Sequence, residues 1–109
     1  MLLDKSGKLV REIDLRGAKE ELLDNLTGMD MLLIMAAINQ IIGKLETFST
    51  KELTPEDWGD TVFEPIYDAC QERGEMTRLF GVIVKQAIIM SPLLYTQEGD
   101  GWESVYTRA

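Results

Sequence analysis

The stretch TGMDMLLIMAAINQIIGKL, residues 27–45, decides the architecture, because wound as a helix it is apolar almost all the way round. Thr27 with Asp30 three residues on reads as an N-cap pair that satisfies orphan backbone N–H groups and complements the helix dipole. From residue 29 to about 45 Gln40, Gly43, Lys44 and then Thr47 form a narrow polar edge. Such a helix is either central to a core or covered by a second subunit. Residues 75–90 predict a second helix of the same kind, with a thin polar strip at Glu75, Arg78, Lys85 and Gln86. Ser91-Pro92 ends it, since proline cannot continue the ladder. The run Val82, Ile83, Val84 would also suit a buried strand, but the length favours helix.

Outward from these two helices the pattern changes period. Residues 2–15 read as a hairpin: Asp4-Lys5-Ser6-Gly7-Lys8 supplies turn formers, and Ile13 and Leu15 alternate with charged neighbours as in a half-buried strand. Gly17 punctuates, and residues 18–26 read as a short helix with Leu22, Leu23 and Leu26 on one side. Residues 49–53 read as a polar connection. Thr54-Pro55-Glu56-Asp57 then carries a helix start signal, and Pro65 splits the segment, with a break near Gly59 and a new helix from about Thr61 preferred over one kinked helix. A second hairpin pairs residues 93–97 with 102–107 around Glu98-Gly99-Asp100-Gly101. The predicted fold class is α+β: one helix-rich domain over 1–109, with four to five helices and a small antiparallel sheet built from the two terminal hairpins.

Composition narrows the chemistry. The chain has 109 residues, 19 acids against 11 bases and a net charge of -8, a sign that argues against nucleic acid as a partner. It contains no histidine, which excludes an imidazole base, a His-ligated metal and a Ser-His-Asp triad. Cys70 is the lone cysteine and falls on the apolar side of its segment, so it reads as a buried, inert thiol with no base to activate it. No GxGxxG or phosphate-loop pattern occurs, and the acids lack calcium-loop spacing, so neither cofactor nor metal is expected. The first residues meet a charge at once and are not a signal peptide, and no apolar run reaches the roughly 18–20 residues of a bilayer span. The expected compartment is the cytoplasm, with no membrane contact.

The charge is unevenly placed. Residues 51–75 hold eight acids and two bases, so six of the eight net negative charges sit in that quarter of the chain. On a continuous helix, Glu56, Asp60, Glu64, Asp68 and Glu72 would repeat every fourth residue on one face, joined by Asp57 near its start. Like charges so placed cost about a few tenths of a kcal/mol per pair. Such a face either solubilises the protein or docks a basic protein partner, with Trp58 or Tyr67 as the aromatic anchor. Small acidic proteins that neutralise toxins or imitate nucleic acid work in the second way, a likeness of size and charge only. Two nearly all-apolar helices exceed what two hairpins and the remaining helices cover, which predicts a homodimer through Met31, Met35, Ile38, Phe80 and Ile83. The non-enzymatic interaction domain is therefore the first functional reading. A small-molecule pocket between the Met-rich helices, with Asn39, Gln40 or Gln86 as its polar groups, is the rival.

Overall fold

The structure is a computed structural model, and it describes residues 1–11, 24–55, 58–59, 61–70, 73–99 and 104–109. The expected helix over 18–26, the strand beyond residue 11 and the tip of the second hairpin fall wholly or largely outside those residues.

The capping pair at the head of the apolar stretch forms as the sequence dictates. The Thr27 hydroxyl accepts from the Asp30 N–H at 3.0 Å, and the Asp30 carboxylate accepts from the Thr27 N–H at 3.2 Å. Helix α1 (Gly28–Ile42) comes next, buries Ile34, Ile38 and Ile42, and ends at Gly43. The guanidinium of Arg108 reaches the freed carbonyls there, donating to Gly43 at 2.8 Å and to Ile42 at 3.5 Å. The second apolar stretch forms the longest described helix, Arg73–Met90, which packs against α1.

Between them lie two short helices, α2 (Thr50–Leu53) and α3 (Glu64–Ala69), so that the long helix is α4. α2 stands where the sequence reads as a polar connection. The Ser49 hydroxyl accepts from the Glu52 N–H and starts a turn there, and Thr50 is buried. The break before residue 61 is present, since α3 begins only at Glu64 with Pro65 in its first turn.

Five described strands make one sheet: β1 (Leu2–Leu3), β2 (Leu9–Val10), β3 (Thr47–Ser49), β4 (Tyr95–Glu98) and β5 (Val105–Arg108), in the order β2-β1-β4-β5-β3. Both expected hairpins are there, β1 with β2 and β4 with β5. Gly7, at φ +82°, supplies the left-handed residue that the first turn needs. The sheet is nevertheless mixed rather than antiparallel throughout. β1 joins β4 in parallel, and β3 comes from mid-chain to close the far edge against β5. Short strands with weak alternation hide such long-range pairings, which no local turn announces.

Leu2, Tyr95, Phe48 and Tyr106 point from the sheet towards the helices, where Phe48 packs on both tyrosine rings. They join Ile34, Ile38 and Ile42 of α1 and Leu79, Phe80, Ile83, Val84, Ala87 and Ile88 of α4 in one core. By register, the other face of the sheet carries the row Leu9, Leu3, Thr96, Thr107 and Thr47.

Candidate partner-docking surface

α3 is held from beneath. Ile66 is fully buried, and Trp58 and Phe63 meet Phe80 of α4 edge-on, with centroids 5.5 and 5.4 Å from its ring. The Thr61 hydroxyl donates to the Trp58 carbonyl and accepts from the Phe63 N–H, which turns the chain into the helix in place of a side-chain cap. With that side fixed, the opposite side of α3 presents Glu64, Tyr67 and Asp68 to solvent. Tyr67 is 55% exposed.

At the end of α3 the Ala69 carbonyl accepts from the Asn25 side chain at 3.4 Å, which links it to the approach of α1. An open depression of about 560 Å³ lies along this join, lined by Asn25, Asp30, Pro65, Asp68 and Ala69. Asp30 and Asp68, one from each helix, are its carboxylates. The sequence marks Asp30 for a capping role only; the structure also places it on the lining of this depression, and a capping carboxylate keeps lone pairs free.

Of the expected carboxylate row, the described residues include Glu64 and Asp68. These two share α3, which ends at Cys70, where the backbone is extended (φ -113°, ψ 146°). Glu56, Asp57, Asp60 and Glu72 lie outside the described residues. Of the two aromatic anchors, Trp58 is only 7% exposed and belongs to the core, which leaves Tyr67.

The residues expected at a dimer interface face inward. Ile38, Phe80 and Ile83 are core residues, and Met31 and Met35 pack half-buried against that core. Among the described residues, Met90 at the end of α4 is exposed, and a stripe of open apolar side chains runs along the other side of α1, where Met29 and Leu32 are about two-thirds exposed (65% and 66%) and Leu33 is 53% exposed. An all-round apolar helix in a chain this short is itself the signal for such a face, but the sequence does not say which of the two helices keeps it.

Cys70 is half-buried and its thiol is pushed up to about 11, by burial first and then by the Glu75 carboxylate. It is a neutral thiol at neutral pH and a poor nucleophile. Among the described residues no group of three or more carboxylates and thiols converges where a metal ion could sit. Two further depressions lined by described residues are open and lie at the two hairpins, around Asp4, Lys5, Gln97 and Gly99, with Lys85 of α4 on the edge of one. Among the described residues no helix is long and apolar enough to cross a membrane. Comparison with family models, with curated proteins and with solved structures finds no match to this chain.

Proposed function

We propose that the chain is a non-enzymatic interaction domain of the cytoplasm, self-associating, that docks a basic protein partner through the acidic surface on and beside α3. The observation that carries this reading is the placement of Glu64, Tyr67 and Asp68. A helix of one and a half turns, pinned on its inner side by Ile66 and the Trp58–Phe80–Phe63 rings, turns two carboxylates and an aromatic outward together. Asp30 stands across the depression from Asp68. Lysines and arginines of the partner pair with these carboxylates, while the Tyr67 ring supplies apolar contact and a hydroxyl at small entropic cost. The six net negative charges of residues 51–75 steer the encounter.

The test is a pull-down from the native organism's lysate at low and high salt, comparing wild type with a Glu64→Gln/Asp68→Asn variant. The expected result is a basic protein that wild type retains, that salt releases and that the variant loses. For the purified pair, association slows several-fold in the variant and its salt dependence flattens. Equal retention by both chains, retention indifferent to salt, or no retained protein at either salt would each refute the docking role.

A further inference from the structure

We infer that two copies of the chain associate symmetrically through the outer face of α1, the surface of Met29, Leu32, Leu33 and Ala36. The inference rests on the self-association in the proposed function and is independent of its basic partner.

These positions recur at intervals of three and four, so they form one stripe along a helix about 22 Å long. All four are exposed, and the three large side chains are more than half so. Together they present a few hundred Å² of contiguous apolar surface, about the size of the largest apolar patch on a typical folded domain, which is often functional.

Charge decides what covers the stripe. Between Asp30 and Lys44 the sequence has no Asp, Glu, Lys or Arg. A basic partner laid along α1 finds no carboxylate past Asp30, so the stripe suits a neutral apolar surface. The chain as a whole carries -8, and a second copy arriving at α3 meets its own acids. Along residues 31–43 it meets none. A symmetric interface sets one patch against itself, so freedom from like charge is the condition that this stripe satisfies.

Side-chain size agrees. An antiparallel crossing centred between residues 32 and 33 sets the leucines of the two copies against each other. It also sets the large Met29 opposite the small Ala36 of the second copy, at both ends of the crossing. The stripe is complementary to itself in shape as well as in charge.

The experiment is sedimentation equilibrium from about 1 to 100 μM protein, at low and high salt, for wild type, Leu33→Glu and Val105→Lys. Val105 is exposed on the far face of the sheet, where a lysine faces its register partner Glu98. Wild type is expected to be a dimer of the 12.3 kDa chain, as tight or tighter in high salt because screening relieves the repulsion between acidic copies. Val105→Lys keeps the dimer, and Leu33→Glu weakens it by tenfold or more with its circular dichroism unchanged. Should Leu33→Glu not fold, Leu32→Gln decides by the same criterion. A wild-type chain that stays monomeric to the top of that range overturns the inference together with the self-association in the proposed function. A dimer indifferent to both α1 variants, or lost in Val105→Lys alone, overturns this face and leaves self-association standing. Dissociation by salt would also overturn it, since that is the behaviour of an acidic docking surface.

Discussion

α4 carries Glu75, Arg78 and Lys85 and is nonetheless the buried helix, with Leu79, Phe80, Ile83, Val84, Ala87 and Ile88 all sealed from solvent. α1 has Asp30 as its one charged residue, yet it buries only Ile34, Ile38 and Ile42 fully and leaves Met29, Leu32 and Leu33 in the open. Depth in this fold follows neighbours rather than hydropathy. Among the described residues, α4 packs against α1, α2 and α3 and shares its core with the inner face of the sheet, whereas α1 packs chiefly on α4. A helix touched on several sides needs no other cover; one touched mainly on one side keeps an apolar back.

This contrast can be broken most severely at Phe80. Its ring takes the edges of both Trp58 and Phe63, so Phe80→Ala is expected to cost about 3–5 kcal/mol in denaturant unfolding and to loosen α3, whose seat it is. Ile38→Ala on the inner side of α1 is expected to cost less, about 2–4 kcal/mol by the same measurement, because a helix open on one side settles more easily into the gap. Thr27→Ala removes the hydroxyl that accepts from Asp30 and half of the reciprocal cap; a loss of about 1 kcal/mol is expected, with α1 fraying first in hydrogen exchange. Leu33→Ala sharpens the comparison by doing least. In dilute solution its effect stays within about 0.5 kcal/mol, while the rise of the melting temperature with protein concentration, expected of a wild-type dimer, flattens. A Leu33→Ala loss as large as that of Ile38→Ala would mean that α1 has no free face at all.

The elements whose cause is local were legible in the sequence. Thr27 and Asp30 announce α1, Pro92 the end of α4, Pro65 the separate α3, and Gly7 and Gly99 the turns of two hairpins. What escaped is non-local. Thr47-Phe48-Ser49 has no turn beside it to declare a strand, and it pairs with residues 105–107, more than fifty positions away. The parallel match of Leu2 with Tyr95 likewise depends on two segments meeting only in the folded chain. The candidate docking surface was legible in the same proportion. Charge density marked residues 51–75 and periodicity extended one helix face across them; among the described residues of that row, Glu64 and Asp68 share a helix, which ends at Cys70. Trp58 looked like an anchor because its type suits interfaces, and the rings of Phe63 and Phe80 claimed it instead.

The parallel join of β1 to β4 has a consequence for how the chain is made. Leu2 and Leu3 leave the ribosome some ninety residues before their second partner strand, Tyr95 and Thr96, is made. β3 must likewise wait for β5, and the carbonyls at the end of α1 wait for Arg108. Until then the inner faces of α1 and α4 have no sheet to close over, and the nascent chain carries them exposed. The sheet is thus completed only once residues 105–108 have been made, and its assembly falls to the slow, long-range end of folding for a domain of this size. Any factor that shields apolar helices on emerging chains has its longest task here over residues 28–42, which leave the ribosome first.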